Sequence, residues 1–133
     1  MKITEENRDI LTVDDNEYYL VQWISADFAR SAGIVTECNT DYNIKLNCIL
    51  CDNRVFNLII KENCFSITTY EMFRDSLVAM RRMLLSTTGI PEIKTNKIAI
   101  PKIIYHDVDW DIAKFIIKDV FKDTNVEILI CSK

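Results

Sequence analysis

Residues 100–110 read IPKIIYHDVDW, and this stretch governs how the second half of the chain is interpreted. A hydrophobic strand is predicted to stop at Pro101-Lys102-Ile103, and a helix led by Trp110 to follow. In an α/β domain, the loop between such a strand and helix is a common place to hold a phosphate, because helix N-termini present free N–H groups. The loop at residues 104–107 contains no glycine, however, so its backbone is poorly suited to close approach by a phosphate. The protein is therefore an enzyme, a binder, or a form of either that has lost its original activity.

The rest of the chain supplies the other elements of an α/β fold. Apolar and β-branched runs predict strands at residues 10–13, 18–23, 44–51, 55–60, 97–100 and 126–131. An apolar stripe at three- and four-residue steps predicts a long helix; it consists of Tyr70, Phe73, Leu77, Met80 and Leu84. Six strands in a short chain indicate one central sheet, and the final strand-helix-strand-helix-strand order favours parallel pairing.

Capping residues mark the ends of the two predicted helices. Thr68 and Glu71 form a capping-box pattern before the first helix, and Gly89 with Pro91 ends that segment. Asp109 is the expected N-cap of a second helix over residues 110–121, which buries Ala113, Ile116, Ile117 and Val120.

Length and charge limit the classes of function. The 133 residues fit a single domain spanning 1–133, and 49% hydrophobic with 27% charged residues is typical of a soluble globular protein. A net charge of −4 argues against nucleic-acid partners, which require clustered Lys and Arg. We find no membrane span and no signal peptide in the polar N-terminus, so we expect a cytoplasmic protein. The oligomeric state is not predictable.

The five cysteines are expected to be reduced and buried, because their number is odd and no export signal accompanies them. Cys48 and Cys51 form a C-x-x-C, but a structural zinc site usually pairs two such motifs. Only Cys64 and His106 remain as further ligands, so we expect neither a metal nor a cofactor.

Three groups of residues could carry chemistry. Residues 25–33 leave a strand through small side chains and Gly33, which suits either close approach to a ligand or a tight strand-to-helix connection. Lys61 ends a strand beside the expected cleft, and is either a desolvated nucleophile or a solvated surface residue. His106 and Asp107 could act as acid and base, or His106 could face the solvent.

Most of the chain, from about Arg8 to Cys131, resembles a macro domain, specifically the branch of terminal ADP-ribose protein glycohydrolase and its phage and bacterial relatives. The resemblance is carried by LVQWISADFARSAGIV, VFNLIIK, TTYEMFRDSLVAMRRML, IAIPKI and DWDIAKFIIKDVFKDTNVEILI. It implies a three-layer α/β/α fold with a central mixed, largely parallel sheet of about six strands. It also implies ADP-ribose, a related nucleotide or an ADP-ribosylated protein as partner.

The resemblance assigns roles to individual residues. Asp9 with Ile10 would bind the adenine end, and a stretch centred on Ala32-Gly33-Ile34 would lie against the distal ribose and phosphates. Lys61 matches the lysine that attacks the anomeric carbon of ADP-ribose on a protein glutamate. Asp107 is the nearest candidate for its acidic partner, followed by Asp109. The full set of predicted ligand-binding residues is Asp9, Ile10, Ser25, Ser31, Ala32, Gly33, Ile34, Tyr105 and His106.

The chain departs from the family where the glycine loop should be. Ile104, Tyr105 and His106 replace the glycines, and the segment is about two residues shorter. Non-glycine residues disfavour positive φ, and their Cβ atoms crowd a diphosphate. Two hypotheses follow. The protein is an ADP-ribosyl glycohydrolase or ADP-ribose-phosphate phosphatase type hydrolase, or it is an inactive macro fold that binds a nucleotide derivative or a protein, for instance as a phage anti-defence module.

Overall fold

The computed structural model describes residues 1–31, 47–85, 93–103 and 107–133. The strands in these ranges are β1 (Lys2–Glu6), β2 (Tyr19–Ser25), β3 (Cys48–Cys51), β4 (Val55–Lys61), β5 (Lys97–Pro101) and β6 (Glu127–Cys131). The helices are α1 (Ala26–Ser31), α2 (Tyr70–Leu85) and α3 (Trp110–Phe121), with a 3-10 turn at Ile10–Thr12.

The strands form one sheet in the order β1-β6-β5-β2-β4-β3. β3 runs antiparallel to β4, and the other neighbouring pairs are parallel. This confirms the prediction of a mixed, largely parallel sheet of six strands.

The sheet separates two layers of helical structure. Successive residues along each strand point to opposite faces of the sheet. One face packs against α2 and α3, with Phe56, Leu58, Ile98 and Ile100 among its buried residues. On the opposite face, Ile24, Ile49 and Ile59 pack with Ala26 and Ala29 of α1. Farther along that face, the segment containing the 3-10 turn covers β5 and β6 through Val13, Ala99, Leu129 and Cys131. The predicted three-layer α/β/α arrangement is therefore confirmed.

The chain changes direction within the sheet between β5 and β2. Across the sheet, β4 and β3 lie on one side of β2, whereas β6 lies on the far side of β5. β2 and β5 are paired at Tyr19 with Ile98 and at Leu20 with Ala99, and the ladder stops there although both strands continue. Trp23 spans the gap, because its indole Nε1 donates to the Pro101 carbonyl oxygen at 2.8 Å. The two strands thus diverge toward their carboxyl ends.

Both long helices form where the sequence predicts them. The stripe of α2 is buried at Phe73, Leu77, Met80 and Leu84, and α3 covers the predicted residues 110–121. Asp109 caps α3, since its side chain accepts from the Asp111 amide at 2.9 Å. The predicted capping box of α2 is wrong by one residue: Thr69, not Thr68, accepts from the Met72 amide. The predicted end at Gly89 and Pro91 lies outside the described residues.

One predicted strand is wrong and one strand is missing from the prediction. Residues 10–13 form the 3-10 turn instead of a strand, because Asp9 caps it and Leu11 is 83% exposed. β1 was not predicted, because its residues are largely exposed and show no apolar alternation. Its place is set by parallel pairing with β6, from Lys2 opposite Glu127 to Glu6 opposite Cys131. Residues 44–46 of another predicted strand lie outside the described part of the chain.

The cysteines differ from the expectation at two described positions, and Cys38 lies outside the described residues. Cys48 and Cys131 are free and buried, and burial raises the pKa of both thiols. Cys64 is free but exposed. Cys51 is disulfide-bonded, so the expectation of a reduced thiol is wrong there. The cytoplasmic location stays a prediction.

The described residues contain neither a metal-binding cluster nor a membrane-spanning helix. Those residues contain no group of three or more His, Cys, Asp and Glu side chains placed to hold a metal ion. None of the helices within the described ranges is long and apolar enough to cross a membrane.

Candidate functional site

The candidate residues within the described ranges follow the carboxyl ends of parallel strands. Asp9 comes after β1, Ser25 ends β2, Lys61 ends β4, and Asp107 comes after β5. Because these strands run parallel, all four residues lie toward the same edge of the sheet. Ligands of open α/β sheets bind at that edge, where the order of the strands reverses. Here the reversal is between β5 and β2, which is also where the strands diverge.

Asp9 caps the 3-10 turn and keeps one carboxylate oxygen available. Its Oδ1 accepts from the Leu11 amide at 2.9 Å, and no donor among the described residues lies within hydrogen-bond distance of Oδ2. Asp9 itself is exposed. Ile10 is half-buried and packs against the cluster formed by Val13, Ala99, Leu129 and Cys131. Asp9 can therefore contact a ligand, whereas Ile10 has a packing role.

Ser25 is buried and belongs to a hydrogen-bonded group at the start of α1. Its hydroxyl donates to Asp27 Oδ1 at 2.5 Å and accepts from the Phe28 amide at 3.4 Å, as an N-cap does. The predicted tight strand-to-helix connection is therefore present, since α1 begins directly at Ala26. Ser31 is the last residue of α1.

Asp27 was not among the predicted site residues, yet it joins α1 to the segment that follows Lys61. Its amide donates to the Glu62 carbonyl oxygen at 3.2 Å, and its Oδ2 accepts from the Cys64 amide at 3.3 Å. The Ser25 hydroxyl, helped by the Cys64 and Phe28 amides, lowers the pKa of Asp27. An Asp at the second position of a helix is a recognisable sequence pattern. Its hydrogen bond with the Cys64 amide, 37 residues away in sequence, has no such local pattern.

Lys61 is half-buried at the last position of β4. It stands opposite Ser25 in the parallel ladder, after an irregularity between Ile24 and Ser25. Ile59 of β4 packs on the α1 side of the sheet, and the extra residue of the irregularity lies between Ile59 and Lys61. Lys61 thus lies next to the group formed by Ser25 and Asp27.

Asp107 contacts the other end of the segment that follows Lys61. Its Oδ2 accepts from the Thr68 amide at 2.6 Å, while its Oδ1 has no partner among the described residues. Asp109, the second candidate acid, is engaged as the N-cap of α3. Its own amide donates to the Tyr70 hydroxyl oxygen at 2.9 Å. Of the two acids, Asp107 has the more available carboxylate.

Two polar atoms near Asp107 are buried and have no hydrogen-bond partner among the described residues. They are Oγ1 of Thr68, a residue that is 7% exposed, and Nε1 of Trp110. Neither unsatisfied atom could be predicted, because the sequence does not show which polar groups become buried on folding.

The remaining predicted site residues lie outside the described ranges. These are Ala32, Gly33 and Ile34 after α1, and Tyr105 and His106 in the remodelled loop. Their roles stay predictions.

Comparison with known structures identifies the fold as that of a macrodomain. A structure described as the macrodomain of Thermus aquaticus DarG matches with a TM-score of 0.63 and 14% identity, over 98% of both chains. The macrodomain of Mycobacterium tuberculosis DarG matches with a TM-score of 0.69 and 16% identity, over 98% of this chain and 97% of that one. No protein-family model and no curated protein matches the chain.

Proposed function

We propose that the protein binds ADP-ribose or a closely related nucleotide across the carboxyl edge of its sheet. The observation that carries this proposal is the divergence of β2 and β5, which pair at Tyr19 and Leu20 and then separate. This opening lies where the strand order reverses, with Asp9 after β1 toward one side and Lys61 at the end of β4 toward the other.

The arrangement of the two sides favours an elongated ligand. The 3-10 turn after Asp9 packs over β5 and β6, whereas Lys61 ends β4. Two to three strand spacings therefore separate them, or about 10–14 Å in the plane of the sheet. A base at Asp9 and a sugar at Lys61, joined through a diphosphate, would satisfy that span. A ligand with one ring could contact only one of the two residues.

We propose further that Lys61 removes ADP-ribose from protein carboxylates. The unprotonated Nζ would attack the anomeric carbon, forming a C–N bond while the C–O bond to the glutamate breaks and the carboxylate leaves with the electron pair. The Oδ1 of Asp107 would take the proton that Nζ loses. Water would then replace nitrogen at the same carbon, which releases ADP-ribose and restores the amine.

The alternative is a macrodomain that binds without catalysis, either a nucleotide derivative or another protein. Both candidate acids favour it, because each already has a structural contact: Asp107 with the Thr68 amide and Asp109 with the first turn of α3. A binder needs neither acid for chemistry, so these contacts would then explain why the acids are present.

Calorimetric titration with ADP-ribose tests the binding proposal. We expect a dissociation constant in the micromolar range for the wild type and loss of binding in Asp9→Ala. Asp9→Ser is the matched variant, because serine also caps a helical turn but its shorter side chain does not reach as far. It should lose affinity while keeping the stability of the wild type. No heat at millimolar ADP-ribose would disprove the binding proposal.

Turnover of an ADP-ribosyl-glutamate peptide tests the catalytic proposal. Lys61→Ala and Lys61→Arg should both abolish release of ADP-ribose, because arginine keeps the charge but cannot act as a neutral nucleophile. Asp107→Asn should slow release by about 100-fold or more. Binding of ADP-ribose by Lys61→Arg with no turnover by the wild type would instead support the non-catalytic alternative.

A further inference from the structure

The segment that follows Lys61 forms a compact turn, here called the Phe65 turn (residues 62–67). Asn63 organises it: its side-chain Oδ1 accepts from the Phe65 amide at 3.0 Å, and its carbonyl accepts from the Ser66 hydroxyl at 2.8 Å. The Ser66 hydroxyl also accepts from the Asn63 amide at 3.0 Å. Asp27 fastens the turn to α1 through the Glu62 carbonyl and the Cys64 amide.

This ordered turn displays apolar side chains to the solvent. Phe65 is 95% exposed and Ile67 is 71% exposed. Phe28, the residue after Asp27 in α1, is also 44% exposed. A loop without a partner normally turns such residues inward, since exposed apolar surface is unfavourable. An aromatic side chain held on a rigid turn is the usual form of an anchor for a protein partner, because little entropy is lost when it binds.

The charges around the turn select among partners. Glu62 and Glu71 are exposed on either side of it, and Asp107 is fixed at its end through Thr68. From Glu62 to Glu71 the sequence contains no Lys or Arg. Nucleic acid needs cationic side chains beside its stacking aromatic residues to neutralise its phosphates. A basic, partly apolar polypeptide is complementary to this surface, and a phosphate backbone is not.

We propose that the Phe65 turn docks the protein that carries the ADP-ribosyl group, and that it selects modification sites flanked by basic and apolar residues. The inference rests on the proposed function, since the turn starts directly after Lys61 and would therefore meet whatever is attached to the anomeric carbon. Phe65 and Ile67 are the anchors, and Glu62 supplies specificity for basic neighbours.

The test compares affinities for three probes in a Lys61→Ala background, which prevents turnover. The probes are free ADP-ribose, a peptide with ADP-ribosyl-glutamate flanked by lysine and leucine, and a single-stranded oligonucleotide carrying ADP-ribose on a base. The lysine-leucine peptide should bind at least about 10-fold more tightly than free ADP-ribose. The double variant Phe65→Ser with Ile67→Ser should remove that advantage, so that its affinity for the lysine-leucine peptide falls by about 30-fold at most. Its affinity for free ADP-ribose should be unchanged.

Two further variants separate docking from misfolding. Phe115→Ser with Ile112→Ser changes the same two residue types on the exposed face of α3, where the side chains are 65% and 45% exposed, and should have no effect. Glu62→Lys should reverse the preference, so that a peptide with glutamate flanks binds better than the lysine-leucine peptide.

Several outcomes would overturn the inference. Equal affinity for free ADP-ribose and the lysine-leucine peptide would mean that the turn does not dock the protein. Tightest binding of the oligonucleotide, lost in the turn variant, would assign the surface to nucleic acid. Equal loss for all three probes would place Phe65 and Ile67 in the nucleotide site. Failure of the proposed function is distinct from these, because free ADP-ribose would then not bind even the wild type.

Discussion

At the scale of single residues, Asp27 has the largest effect on the geometry of the candidate site. It connects the first turn of α1 with the backbone directly after Lys61, using its amide and both carboxylate oxygens. Lys61 and Asp9 could be proposed from sequence because both match a family pattern and Lys61 follows a predicted strand. Asp27 could not, because its contribution depends on the return of residues 62 and 64 to α1, a contact that no local pattern encodes.

Asp27 should give the protein an acid-sensitive contribution to stability. Its folded pKa is lowered, so the contribution is fully present above its ordinary value near 4 and is lost as the pH falls through the folded pKa. In thermal unfolding from pH 6 to pH 2, the difference between wild type and Asp27→Asn should shrink as the pH drops. Asp123→Asn, an exposed carboxylate at the end of α3, controls for the change in net charge. A difference that is constant with pH would show that Asp27 is not stabilised in its charged form.

At the scale of elements, the sequence predicts helices better than strands. α3 is correct at both ends because an N-cap and an apolar stripe are local properties of its own residues. β1 was missed and the 3-10 turn was predicted to be a strand. Pairing with a distant strand makes the exposed residues 2–6 a strand. Conversely, residues 10–12 form a helical turn held by hydrogen bonds that the Asp9 side chain and carbonyl accept from Leu11 and Thr12. The candidate site follows the same division: strand-end residues could be predicted, and contacts between loops could not.

The cap of α3 gives a direct test of that local control. Asp109→Ala should lower the free energy of unfolding by about 1 kcal/mol, because the Asp111 amide loses its acceptor, whereas Asp109→Ser should be nearly neutral. Denaturant titration measures both. If Asp109→Ser also abolished turnover while leaving stability unchanged, Asp109 rather than Asp107 would be the acid of the proposed reaction.

At the scale of the whole molecule, Trp23 controls the opening between the two halves of the sheet. Its indole holds the end of β5 beside β2 after the backbone ladder has stopped, and its ring lies 5.2 Å from that of Phe73. Phe73 of α2 therefore borders this opening on one face of the sheet. This arrangement could not be read from the sequence, because it depends on where the ladder ends.

Trp23→Phe should remove the hydrogen bond and keep an aromatic ring in place. We expect a loss of about 1–2 kcal/mol, or a decrease in Tm of about 3–8 °C, together with weaker binding of ADP-ribose. Trp110→Phe is the matched control, because its Nε1 has no partner and its removal should not destabilise the protein. Equal destabilisation by the two substitutions would mean that ring packing, not the bond to Pro101, holds β5.

The pairing of β1 with β6 also bears on when the protein can fold. β1 pairs with a strand that lies far along the sequence, so Lys2 cannot pair until Glu127 has been synthesised. The internal strands β5, β2 and β4 can assemble earlier, whereas β6 remains without its outer neighbour until β1 closes over it. Such long-range closure is slow relative to local contacts. Completion of the sheet therefore requires synthesis through residues 127–131, and a nascent chain stalled before residue 127 would carry an N-terminal segment without its strand partner.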